Sequence, residues 1–252
     1  MSLFTAIKKE WLEQRRTKKL LVSVIVLTLF GMTSPLLAKI MPQIIALVPG
    51  GAALTALIPT PTLQDGVAQY IKNISQFGIL LALLFSMGAV AAEKEKGTLA
   101  LVLSKPMPRF TFLLAKFCAL ALTFTCGLAL AAAAGYYYSV VLFGEVPLLP
   151  WLTLNGLILF YLLIYVAITL FFSTITRTQY VAAGGAFAVL IVLEILGSLP
   201  GLAKYLPAAM IQNPVLLMNG QTAADWLCLW VGAALLILSL LGAGLIFRHQ
   251  EL

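Results

Sequence analysis

Charge is what this sequence has least of. Only 10% of its 252 residues are Asp, Glu, Lys or Arg, against roughly a quarter in an ordinary soluble domain. Metal-binding and nucleophilic groups are equally scarce. There is one histidine, His249, in the C-terminal tail beside Arg248, where a solvated or headgroup-facing role is expected. The three cysteines, Cys118, Cys126 and Cys228, fall inside apolar runs with no paired metal-ligand spacing, so they are expected to be small packing residues. No G-x-x-x-x-G-K-[ST] phosphate loop, H-E-x-x-H or G-x-S-x-G pattern occurs. Catalysis, a metal and a cofactor are therefore not expected in this chain, and neither is ATP bound through a P-loop of its own.

Apolar residues fill the space that charge leaves. They make up 62% of the chain, with a mean hydropathy of +1.03, more than a water-soluble fold can hide. Six runs are long enough to cross a hydrocarbon core, near residues 20–38, 75–92, 110–136, 151–173, 180–199 and 226–247. They are continuous and rich in Leu and Ala, unlike the alternating strands of a barrel of about 10 residues each, and a helix satisfies its own backbone in lipid. The expected fold is an all-α integral membrane protein forming a single transmembrane domain over residues 1–252. The positively charged lead and apolar run of the first span are too long for a cleaved signal peptide, so it is expected to be retained.

The net charge of +7 does not point to nucleic acid, because the basic residues sort by side of the membrane. With the N-terminus inside, thirteen lie on the cytoplasmic side, including Lys8, Lys9, Lys94, Lys96, Arg109, Lys116 and Arg248; only Lys39, Lys72 and Lys204 lie opposite. Cytoplasmic positive charge orients membrane proteins, so both termini are expected in the cytoplasm of a multi-pass plasma-membrane protein.

Three stretches between the spans carry further information. Residues 2–17 form a charged helical stretch with Leu3, Phe4, Ile7 and Trp11 on one face and Lys9, Glu13 and Arg16 on the other, an interfacial helix that is either a simple anchor or an elbow carrying motion into the first span. Residues 39–74 contain Pro42, Pro49, Pro59 and Pro61 and are expected to form an outer loop. Residues 199–225, interrupted by Pro200, Gly201, Pro207, Pro214 and Gly220, are expected outside, as a re-entrant pair of short helices closing a pathway or as a folded surface loop. Glu194, Asn213 and Pro214 are the candidate pathway or outer-gate residues.

Residues 93–109 are the most informative of all: Glu93, Lys94, Glu95, Lys96, Gly97, Thr98 and Leu99, an apolar stretch to Ser104, then Pro106 and Pro108 before Arg109. Thr98 to Ser104 is too short to span and the prolines end any helix there. A short helix flanked by both signs of charge suits docking to a cytoplasmic partner; an ordinary charged turn is the other reading. Glu93 and Glu95 are placed to cap that helix or to meet basic groups of a partner, and Gly97 to allow close backbone approach.

That stretch, with its acidic, variable, acidic, variable, Gly-Thr, apolar, Ser-x-Pro and basic order at Glu93, Glu95, Gly97, Thr98, Leu99, Ser104, Pro106 and Arg109, resembles the permease subunits of type-two ATP-binding cassette transporters. The N-terminal elbow, six spans, long outer loop and interrupted outer segment follow the same order over nearly the whole chain. The resemblance implies that two six-span permeases, identical or similar, pair and bind two separate cytoplasmic ATPase subunits, which would carry ATP and Mg. It implies a coupling role for Glu93, Lys94, Glu95, Lys96, Gly97, Thr98 and Leu99, export across a prokaryotic plasma membrane, and membrane lipids as surroundings.

Two other functions remain open in the sequence. An ion-coupled secondary transporter needs ionisable groups near the midplane, whereas Glu194 is the one acid inside the six spans; a non-transporting accessory membrane protein would share the topology. Spans of Leu, Ala, Phe and Val suit a lipid, hydrophobic peptide or amphipathic drug, although Thr123, Thr125, Asn155 and Thr169 offer polar groups. The small-residue stripes Gly127, Ala131, Gly135 and Ala182, Ala186 are expected to pack helices closely, within the chain or against a second permease.

Overall fold

The computed structural model describes residues 2–47, 49, 60–99, 108–199, 201–218 and 226–250. These residues form α1 (Leu3–Arg16), α2 (Lys19–Ala46), α3 (Leu63–Ser86), α4 (Ala91–Glu95), α5 (Arg109–Phe143), α6 (Leu148–Ile175), α7 (Gln179–Ser198), α8 (Gln212–Met218) and α9 (Leu227–His249), with no strand among them. Among the described residues six helices are long and apolar enough to cross a membrane, the second formed by α3 and α4 together.

The helices overrun the expected spans. α2 continues through Pro35 and Pro42 to Ala46, although each proline removes a backbone hydrogen bond. Its close packing on α5 and the cost of breaking a helix in an apolar surround hold it together. α3 begins at Leu63, well before the expected span, because Asp65 accepts hydrogen bonds from both the backbone N–H and the hydroxyl of Thr62, each at 2.8 Å. This is a capping box, readable as T-x-x-D in the sequence.

α6 is the hub. About two-thirds of its apolar window is buried, 67% against 11% for α7 and 17% for α9, so α7 and α9 leave broad faces for lipid or another chain. Tyr70, Ile74, Phe124, Trp151, Leu154, Ile158 and Leu162 fill the core between α3, α5 and α6. Three of its polar side chains form a chain of hydrogen bonds: Tyr70 donates to Asn155 Oδ1 (2.6 Å), Asn155 to the Trp151 carbonyl (3.0 Å), and the Trp151 indole to the Ala132 carbonyl (3.1 Å).

Both small-residue stripes are used inside the chain. A Cβ on Gly31 would lie 2.6 Å from the Ala131 carbonyl oxygen, and one on Gly127 would meet Ser23 and Leu27. Gly135 is covered by Tyr70 and Trp151, and Ala182 and Ala186 are fully buried. Gly31, Gly127 and Ala131 serve the close approach of α2 to α5, and Gly135 that of α5 to α3 and α6.

The segment after α7 forms two 3₁₀ turns, Ala203–Tyr205 and Pro207–Ile211, and then α8. Met210, Ile211 and Asn213 are buried, so this piece is packed into the bundle rather than laid on it. Met210 meets α9 at Gly232 beside Phe160 and Ile164, about midway along α6. Residues 219–225 lie outside the described residues.

Candidate functional site

The end of the bundle that carries both chain termini gathers α1, α4, the start of α5 and the last turns of α6 and α9. α3 stops at Ser86 and the chain bends before α4. Ser173 of α6 holds the bend: its hydroxyl accepts from the Val90 and Ala91 N–H groups, both at 3.0 Å, and donates to the Met87 carbonyl at 2.8 Å. Two otherwise orphaned N–H groups at the start of α4 are satisfied in this way.

α4 then ends in a Schellman turn. The Thr98 N–H returns to the Glu93 carbonyl (3.0 Å) and the Gly97 N–H to the Lys94 carbonyl (3.0 Å), with Gly97 at φ 66°. Gly97 supplies this left-handed conformation, and within this chain a Cβ there would meet nothing within 4 Å. Leu99 is buried in a small cluster with Val90, Phe112, Leu113 and Phe247. Residues 100–107, which hold the rest of the expected short helix, lie outside the described residues.

Glu93 and Lys94 point into this chain. The Lys116 ammonium bridges Glu93 Oε1 at 2.7 Å and Glu10 Oε2 at 3.0 Å, and both Lys116 and Glu10 are almost wholly buried. One buried cation thus ties α1, α4 and α5. Carboxylate oxygens of Glu10, Glu13 and Glu93 lie within 4.8 Å of one another, and the lysine ammonium supplies the positive charge for two of them. Lys94 donates to the Thr174 carbonyl and to Gln250 Oε1 (2.7 Å), while Gln250 Nε2 donates to the same Thr174 carbonyl at 3.1 Å. Arg109 donates to the carbonyls of Phe247 (2.7 Å), Arg248 (3.2 Å) and Gln250 (2.7 Å), capping the last turn of α9 with a cation where the helix dipole favours one. Glu95, Lys96, Gly97 and Thr98 remain exposed.

Sequence reasoning missed Glu10, Lys116, Ser173 and Gln250. Lys116 carried a usable signal: a lysine inside an apolar span implies an acidic partner. Glu10 carried a weaker one. The face of α1 that packs on the bundle is Ala6, Glu10 and Gln14, while Leu3 and Phe4 of its apolar face stay exposed, so apolar periodicity pointed away from the contact.

At the opposite half of the bundle, Glu194 faces Tyr161, whose hydroxyl lies 3.5 Å from Glu194 Oε1. Glu194 lines two adjoining cavities of about 520 and 480 Å³ between α3, α6, α7 and the broken segment. Asn213 lines a different one of about 360 Å³ with Lys204, and Pro214 is buried without lining any of these. The three outer candidates are therefore not one cluster. Thr123 and Thr169 are buried and bonded to their own helices, and Asn155 belongs to the Tyr70–Trp151 network; Thr125 and Asn155 share a cavity of about 360 Å³ between α5 and α6.

The arrangement is a junction of buried ion pairs and hydrogen bonds at one end and amphipathic cavities at the other, with no nucleophile–base pair at either among the described residues. A family model described as "ABC-2 family transporter protein" matches residues 4–235. The chain is also 29% identical over 226 residues to the "Uncharacterized transmembrane protein YxlG" of Bacillus subtilis (strain 168), covering 88% of this chain and 87% of that one.

Proposed function

Because this chain belongs to the ABC-2 transporter family, a membrane transport component and not itself a catalyst, we propose that it is the permease subunit of an ATP-driven exporter. Two permeases, identical or similar, would form the pathway, and separate cytoplasmic ATPase subunits would bind and hydrolyse Mg-ATP. The termini and the junction would face the cytoplasm, in keeping with the thirteen basic residues assigned to that side. Lipids, hydrophobic peptides or amphipathic drugs are the substrate classes that the apolar spans suit.

The observation that carries this reading is the junction itself. Glu93 and Lys94 lock α4 to α1, α5, α6 and the C-terminal turn, while the next four residues, Glu95 to Thr98, stay exposed at the chain's end face. A partner pressing on that exposed turn would move a unit tied to the second, third and fourth spans and to α1, not a loose loop. Glu95 and Lys96 would meet the ATPase, and Glu93 would transmit.

The test is affinity purification of the full chain from its native membrane in mild detergent, with mass measurement and assay of Mg-ATP hydrolysis. Two permeases with two ATPase subunits, and hydrolysis that responds to added amphiphiles, are expected. A single permease copy without an ATPase would overturn the reading.

A further inference from the structure

We propose that the paired cavities around Glu194 form a binding site for a zwitterionic amphiphile, a molecule with an ammonium and an anionic group at its head and an aliphatic chain behind. The site deepens the permease reading by naming a substrate class and rests on that reading only for the claim of transport, not for binding.

Two opposite charges line the same space. Lys72 of α3 and Glu194 of α7 both border both cavities, with Ser75 and Tyr161 between them. They are not paired with each other: among the described residues the Glu194 carboxylate is met by the Tyr161 hydroxyl at 3.5 Å, and the Lys72 ammonium has no side-chain or backbone acceptor. The Ser75 hydroxyl is buried and has no partner there either. Both side chains are exposed within this chain and open to a ligand, so a molecule that supplies one charge of each sign answers both, whereas a singly charged ligand answers only one of the two.

The walls around these groups are apolar. Ile79, Leu80, Leu83, Phe187 and Leu190 line the first cavity, and Gln212 of α8 adds a polar group to the second. An apolar cleft of several hundred cubic ångströms with a few convergent polar groups is the usual form of a small-molecule site. An ammonium at the Glu194 carboxylate, an anion at the Lys72 ammonium, and a chain along the α3–α7 wall use these features.

Photocrosslinking of the full chain in nanodiscs of phosphatidylglycerol tests this without any ATPase. Three diazirine lipids with equal chains serve as probes: a zwitterionic phosphatidylethanolamine, an anionic phosphatidylglycerol and a cationic dialkyldimethylammonium. The zwitterion should label peptides of α3 and α7 about tenfold more strongly than either other probe, the ratio expected from one further charge-assisted hydrogen bond. Glu194→Gln and Lys72→Gln should each lower that labelling about tenfold and leave labelling of the exposed face of α2 unchanged. Dodecylphosphocholine should compete, and free phosphocholine should not.

Equal labelling by the three probes, undiminished labelling of both variants, or displacement by free phosphocholine would overturn the site, as would protection of both helices because a second copy fills the cavity. If a variant fails to fold, the probe series on the unaltered protein decides. Since the measurement contains no nucleotide, loss of this site and loss of ATP-driven export are separate results.

Discussion

Lys116 is held by Glu10 and Glu93 in a nearly dry pocket, so each partner's removal leaves charge uncompensated. Lys116→Met should destabilise the protein by about 3–5 kcal/mol, because two buried carboxylates would then face one another. Replacing all three groups together, with Glu10→Gln, Glu93→Gln and Lys116→Met, should restore much of the loss. Thermal unfolding of the purified protein in detergent measures both, and a single variant as stable as the unaltered protein would contradict the buried triad. Glu93 and Glu95, adjacent in pattern, separate here. Glu93→Ala should lower thermal stability, whereas Glu95→Ala, on an exposed side chain, should leave stability unchanged and weaken co-purification of the proposed ATPase.

Gly97 gives a second test at the same scale. Its φ of 66° with open space around the missing Cβ means that backbone strain alone decides substitution. Gly97→Ala should cost about 1 kcal/mol, and Gly97→Asn less, since Asn tolerates that conformation. Unfolding curves of the two variants would show the order, and equal losses would indicate that the side chain meets something after all.

At the scale of elements, the contact of α2 with α5 depends on backbone approaching backbone at Gly31 and Ala131. A Cβ at Gly31 meets a carbonyl oxygen that cannot swing aside, so Gly31→Val should force the helices apart and lower the yield of folded protein. Gly156→Ala is the matched control, because nothing lies within 4 Å of its missing Cβ; it should be neutral or stabilise by up to about 1 kcal/mol. Fluorescence-detected gel filtration of both variants distinguishes them. The bend between α3 and α4 depends on Ser173, and Ser173→Ala leaves the Val90 and Ala91 N–H groups without their acceptor. Hydrogen exchange at residues 90–96 should rise in that variant while exchange in the middle of α6 stays slow; unchanged exchange at the bend would show that the hydroxyl is not its anchor.

For the whole molecule, the proposed sidedness predicts an inside signal from a reporter fused at Leu252 and outside signals from reporters near Asp65 and Lys204. An outside signal at Leu252, or an inside signal at either loop position, would remove the six-span arrangement with cytoplasmic termini. The exposed faces of α7 and α9 are where a second permease would sit, because the small-residue stripes of α5 and α7 are already covered from within the chain.

The sequence by itself determined that this is a helical membrane protein with six spans, because apolar length and backbone satisfaction in lipid depend only on composition along the chain. It also carried the family, through the ordered pattern from Glu93 to Arg109, whereas the early start of α3 at its Thr62–Asp65 cap falls within residues 39–74, a stretch expected to form a loop. Only the tertiary structure decided which way the motif residues face. Glu93 and Lys94 turn inward because Lys116, Thr174 and Gln250, distant in sequence, arrive beside them when the spans pack. The same holds for Glu10, whose partner lies more than a hundred residues away, and for Lys72 and Glu194, which share a cavity because α3 and α7 both border it. Local periodicity reports which side of one helix is apolar; it holds no information about which charged groups two helices bring together.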